Sequence, residues 1–365
     1  MTAPLNRVRS PVKRQRAERY LLIMLLSFAS SVALTRLFLF LTGYPQIGGG
    51  GLHIAHVLWG GLLLFAACVV MLAFANHWSL TLGAALCGLG VGLFIDEVGK
   101  FITQNNDYFY PAAAPIIYAF FLLSVLIYLQ MRRPPRKEAR VELYHAFETL
   151  QEVLDHDLDP QEHASLVARL KWISQQEKDA NLARLAQELL QFLHSRQLKL
   201  AADEYTLLEH LQDDAEALAG KHISLPRLKV ALIVALAGLG LVTAAQLGRL
   251  LISLVTPETF GQTLATMAAS VDLRSYPVNQ AWFFAYILLT GLNGLLLLSG
   301  AALLAVRRDR LGLNLGYYGL LVSLAVVNLL VFYFDQFSTI GLAAIQFVVL
   351  LGLLYYRRKA TAYRD

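Results

Sequence analysis

His53 and His56 open one apolar run three residues apart, and Asp96 and Glu97 close the next one, with Asp107 shortly beyond. Two imidazoles opposed by carboxylates offer the nitrogen and oxygen donors that Zn²⁺ or another borderline divalent ion takes. The same groups can instead relay a proton between imidazole and carboxylate. Arg36 and Lys100 are the cations in reach of such a cluster, and Arg249 with Asp335 form a sparser counterpart later in the chain. A plainer reading stands beside these. Lys100 follows Glu97 by one helical turn, so internal charge neutralisation would account for the acids and leave the histidines as interfacial polar residues.

The elements that carry these residues follow from composition. Of 365 residues, 56% are hydrophobic and 16% charged, against roughly a quarter charged in a soluble domain. That balance excludes a disordered chain and argues against a water-soluble enzyme. The apolar residues gather at 20–42, 52–75, 79–101, 112–131, 228–255, 280–306, 311–334 and 338–356. Each run is close to the ~20 residues with which a helix crosses ~30 Å of hydrocarbon. Helix is the state that satisfies the backbone there, and the runs lack the alternation of a membrane barrel. The fold class expected is an all-α integral membrane protein with eight transmembrane helices in two sets of four. The first run is too long for the ~7 to 15 apolar residues of a signal-peptide core.

Lys and Arg cluster before run one (Arg7 to Arg19), after run four (Arg132 to Lys137), before run five (Arg227, Lys229), between runs six and seven (Arg307, Arg308, Arg310) and at Arg357 to Lys359. With eight spans all five clusters fall on one side, which the positive-inside rule makes cytoplasmic. The expected location is a bacterial inner membrane with both termini inside. Between Glu138 and His222 lie 17 of the 26 acidic residues and 8 of the 31 basic ones, a net charge of −9. Apolar residues recur there at helical spacing, predicting amphipathic helices near 137–156, 160–175, 178–198 and 203–219. The domain plan is a basic tail 1–19, a membrane half 20–131, an acidic cytosolic domain 132–226, a second half 227–356 and a tail 357–365. The acidic surface argues against nucleic acid; the partners expected are the lipid bilayer and a protein, or a second copy, meeting 137–219.

Short likenesses, such as Leu34 to Leu37 with Leu247 to Leu250, point to a parallel pseudo-repeat of the two halves. Cys68 and Cys87 lie inside apolar runs and read as packing residues. Asn293 and Asn328 read as hydrogen bonds between helices.

The topology places Arg36, His53, His56, Asp96 and Glu97 in one leaflet, at the outward ends of runs one to three. His53-Ile54-Ala55-His56, Trp59-Gly60, Gly88 to Glu97 and Asp107-Tyr108 together resemble an uncharacterised family of bacterial polytopic membrane proteins. That family pairs a histidine-rich helix start with a Gly-rich helix ending in Asp-Glu. The resemblance implies no activity, and Ala55 stands where the family's cluster has a further histidine. Three functions are open: transport through an outward-facing metal or proton site, a membrane-embedded metal-dependent hydrolase, or a non-catalytic scaffold or sensor working through the cytosolic helices.

Overall fold

The computed structural model describes residues 11–44, 55–133, 137–176, 180–194, 224–255, 280–335 and 340–362. Every regular element among them is helical: α1 Ala17–Thr42, α2 His56–Ala73, α3 His77–Asp96, α4 Val98–Ile102, α5 Ala113–Met131, α6 Ala139–Asp155, α7 Pro160–Gln176, α8 Ala180–Leu193, α9 Leu225–Val255, α10 Gln280–Ala305, α11 Asp309–Val322, a π turn Ser323–Val327, α12 Asn328–Asp335 and α13 Ile340–Ala362. Eight of the described helices are long and apolar enough to cross a membrane: α1, α2, α3, α5, α9, α10, the continuous α11-π-α12 segment, and α13.

Two of the eight differ from the unbroken helices their hydropathy suggests. The third stops at Asp96, because Glu97 leaves helical geometry (φ −92°, ψ 10°) before the short α4 resumes. The seventh carries the π turn in its middle. Of the four amphipathic helices expected between 137 and 219, three are α6, α7 and α8; the fourth lies outside the described residues. α7 starts at Pro160, where the helical spacing begins, on a reciprocal cap. The Glu162 N–H donates to Asp159 Oδ1 at 2.7 Å and the Asp159 N–H to Glu162 Oε2 at 3.2 Å.

The chain forms two compact units. The first comprises Met1–Phe94 and Leu123–Gln212. Within it α2 and α3 meet glycine to glycine, since a Cβ on Gly60 would sit 2.8 Å from the Gly90 carbonyl. Ser31 of α1 donates to the Leu89 carbonyl at 3.0 Å. α6 to α8 bury Leu143, Ala146, Leu166, Leu170, Ile173 and Ala186 against one another, the Leu stripe of the sequence turned inward.

A second feature of this unit is ionic. The residues before α1 lie along α6, where the Gln15 N–H donates to Glu148 at 2.7 Å and the His145 ring to the Lys13 carbonyl at 2.9 Å. Arg14 pairs with Glu148 at 3.6 Å, and Arg16 with Glu152 at 3.6 Å and with Glu162. The α2–α3 turn joins in. Asn76 donates to Asp155 at 2.9 Å, and His77 lies 3.6 Å from Glu152 with its other nitrogen 3.3 Å from the Tyr20 hydroxyl. Burial pushes the Glu152 carboxyl up from its ordinary value against the opposing pull of Arg16 and His77.

The second unit comprises Ile95–Leu122 and Asp213–Asp365. Leu236, Leu297, Leu304, Leu320 and Leu353 are fully enclosed at the centre of α9, α10, α11 and α13. Glycines again permit close helices: a Cβ on Gly240 would lie 2.9 Å from the Gly294 carbonyl, and one on Gly300 2.9 Å from the Gly316 nitrogen. Where α9 and α11 begin, Lys229 pairs with Asp309 at 2.5 Å.

Candidate functional site

In the second unit, the chain from Ile95 to Ala113 is a short helix with a loop folded back upon it. Gly99 makes the fold possible, because a Cβ there would stand 2.7 Å from the Asp107 carbonyl and 3.1 Å from that of Tyr108. The loop is pinned by local bonds. Thr103 Oγ1 donates to the Gly99 carbonyl at 2.8 Å and accepts the Asp107 N–H at 2.8 Å, while Asp107 Oδ1 accepts the Phe109 N–H at 2.9 Å. Asn106 takes a left-handed conformation, φ 53°, at the bend, as Asn tolerates better than most residues.

This arrangement delivers two groups to the adjacent acids. The Tyr108 hydroxyl donates to Asp96 Oδ2 at 2.7 Å, and Lys100 Nζ donates to Glu97 Oε1 at 2.6 Å. The same ammonium lies 5.3 Å from the centre of the Tyr108 ring, within cation–π range. Both carboxylates have 0% exposure. Consecutive acids at the end of an apolar helix are expensive to bury, so the bonds that stabilise their charged forms matter most here. A phenol hydrogen-bonded to a carboxylate is also a short proton path, since either oxygen can carry the proton.

The other residues singled out in the sequence are placed as follows. Arg36 is buried in α1, at 6% exposure, and His56 is half-buried as the first residue of α2; both belong to the first unit. His53 lies outside the described residues. Asp107 spends the contact named above on its own loop. Arg249 is exposed on α9, and Asp335 ends α12 with its side chain outside the described set. Among the described residues no three His, Cys, Asp or Glu groups converge to hold a metal ion. A zinc shell therefore has no support in the donors that are described.

Sequence reading passed over Tyr108 as a functional group, though it adjoins Asp107 in the quoted pattern. It also treated Asn293 and Asn328 singly, whereas each belongs to a buried polar group. Asn293 Nδ2 donates to Ser323 Oγ at 2.6 Å. Asn328 Nδ2 donates to Gln346 Oε1 at 2.8 Å and lies 3.3 Å from the Tyr118 oxygen, whose proton goes to the Leu324 carbonyl at 2.6 Å.

Fold and site together describe an all-helical chain, among its described residues, with eight helices suited to a bilayer and a carboxylate pair buried at the end of one of them. Compared with family models, curated proteins and solved structures, the chain matches none.

Proposed function

We propose that this is a multi-pass protein of a bacterial cytoplasmic membrane, both termini inside, that transports a small ion or a solute coupled to protons. The Asp96 and Glu97 pair is its outward-facing titratable site. The observation that carries the reading is the complete burial of two adjacent carboxylates beside a lysine and a tyrosine hydroxyl. Ionisable groups enclosed at the end of a membrane-spanning helix are natural stations on ion and proton pathways. His53 and His56, which the sequence puts at the outward end of their own run, are a further pair of groups able to carry protons.

The test is flux through the purified chain in proteoliposomes loaded with a pH-sensitive dye. Wild type should dissipate an imposed pH gradient faster than protein-free vesicles, and Asp96→Asn and Glu97→Gln should each slow it at least about tenfold, equivalent to roughly 1.4 kcal/mol. Flux indifferent to both substitutions would remove the acids from the mechanism.

A second reading, a sensor or scaffold using 137–219 to meet a protein partner, is favoured by the ionic seam on α6. That seam joins the acidic helices to the start of α1 and to the α2–α3 turn. A partner of this kind should copurify with wild type and be lost when residues 139–194 are replaced by a flexible linker.

A further inference from the structure

The second unit buries a set of neutral oxygens deep within its spans. Tyr118, Asn328 and Gln346 each lie five or six residues inside the end of their helix, about 8 to 9 Å at 1.5 Å per residue. They bond one another as described. Ser323 lies five residues before Asn328, at the first position of the π turn. Across from it, α10 presents a stripe that runs Tyr286, Thr290, Asn293, Leu297, all at 7% exposure or less. Tyr286 and Ile287 share one buried cluster with Val327 of the π turn, and Asn293, one turn from Thr290 on the stripe, bonds Ser323 directly.

Two atoms of this stripe stand out. Thr290 Oγ1 and Asn293 Oδ1 are buried and have no hydrogen-bond partner among the described residues. A mid-helix threonine ordinarily bonds the carbonyl one turn back, as Thr243 does here with Leu239 at 2.9 Å. Thr290 does not. An orphaned hydroxyl and an orphaned amide oxygen one turn apart, in an interior, are costly unless a donor or a cation meets their lone pairs. The facing backbone has a related peculiarity, since a π turn shifts its hydrogen bonds from i+4 to i+5 and such turns recur at functional sites.

The chemistry of the donors selects the ligand. The buried polar side chains of the seam are Thr290, Asn293, Ser323, Asn328 and Gln346, all uncharged. Calcium and magnesium sites rely on carboxylates to offset two charges, and zinc wants nitrogen or sulfur. Uncharged oxygens, by contrast, are the surroundings in which alkali cations shed their water. We infer that Thr290, Asn293 and Ser323, set against the π turn, bind a dehydrated monovalent cation of the sodium or potassium class. The site is separate from the Asp96 and Glu97 pair, and its existence does not depend on those acids carrying protons.

Thermal unfolding of the purified full chain in detergent tests it, in sodium, potassium or choline chloride at one ionic strength. Wild type should unfold roughly 2 to 4 °C higher in sodium or potassium than in choline, the increment expected of a ligand that binds the folded state alone. Thr290→Val removes an oxygen while keeping the shape, so it should fold, hold its stability in choline and lose the increment. Asn293→Ala should lose it too. Tyr118→Phe, which breaks the bond to the Leu324 carbonyl and leaves the three oxygens in place, should lower unfolding equally in all salts and retain the increment. A wild type that unfolds at the same temperature in all three salts would overturn the inference, and so would an increment that survives in Thr290→Val.

Discussion

Two polar seams run through this molecule, and they are built from opposite chemistry. Along α6 the arginines Arg14 and Arg16, with the His77 ring beside them, face Glu148, Glu152 and Glu162. Inside the second unit they are amides and hydroxyls, Asn293 with Ser323 and Asn328 with Gln346 and Tyr118. Charge is cheap where water can reach it and dear where it cannot, so each seam uses the strongest bond its surroundings tolerate. Asp96, Glu97 and Lys100 break that division by placing ions, two of them at 0% exposure, at the end of an apolar helix. They share this with Arg36, a charge buried at 6% exposure in apolar α1.

The sharpest way to break the contrast is at that exception. Lys100→Ala should destabilise by up to about 3 kcal/mol in chemical denaturation, because it removes a charge-assisted hydrogen bond from a buried carboxylate. Adding Glu97→Gln should recover much of the loss. A double variant no more stable than the single one would mean that the pair does not interact as drawn. Next in size, Gly60→Ala should cost about 1–3 kcal/mol, since its Cβ would meet the Gly90 carbonyl at 2.8 Å and force α2 from α3. In the neutral seam, a double-mutant cycle of Asn328→Leu with Gln346→Leu should give a coupling near 0.6 kcal/mol and below about 1.7. A value several times larger would make that seam behave like the ionic one.

The ionic seam should show the smallest changes and a pH signature. Arg16 is a third exposed, so Arg16→Gln should cost no more than about 1 kcal/mol. Glu152 has its folded value raised by burial, so its protonated form is favoured more in the docked state than in the undocked one. Its contribution is present below the ordinary carboxylate range and fades as pH rises through the raised value. Glu152→Gln should therefore flatten the pH dependence of α6 docking, followed by hydrogen exchange, as pH rises above the ordinary carboxylate range. An unchanged profile would put the titration elsewhere.

The sequence reveals the parts of this fold that depend on composition over a long window. Eight runs of about 20 apolar residues declare themselves because each is long and apolar enough to cross ~30 Å of hydrocarbon. What escapes is set by single contacts. Nothing in hydropathy marks the break at Glu97, which depends on Gly99 admitting the Asp107 and Tyr108 carbonyls. The π turn at Ser323 is equally silent, since Ser323 to Val327 is as apolar as its neighbours. Arg14 and Arg16 are legible as charges near a membrane end, yet their engagement with α6 requires knowing where Glu148 and Glu152 fold. For the candidate site, the acids stand out as residues out of place in an apolar run, whereas Tyr108 comes from a loop whose path no periodicity reports.

The measurement that bears most directly on the transport reading is the current evoked by an acid pulse on vesicles holding the purified protein. Wild type should give a transient whose charge scales with protein content, Asp96→Asn should abolish it, and addition of a chelator should leave it unchanged. A full-sized current from Asp96→Asn would contradict the account, and a current lost to chelator and restored by zinc would return the site to metal chemistry.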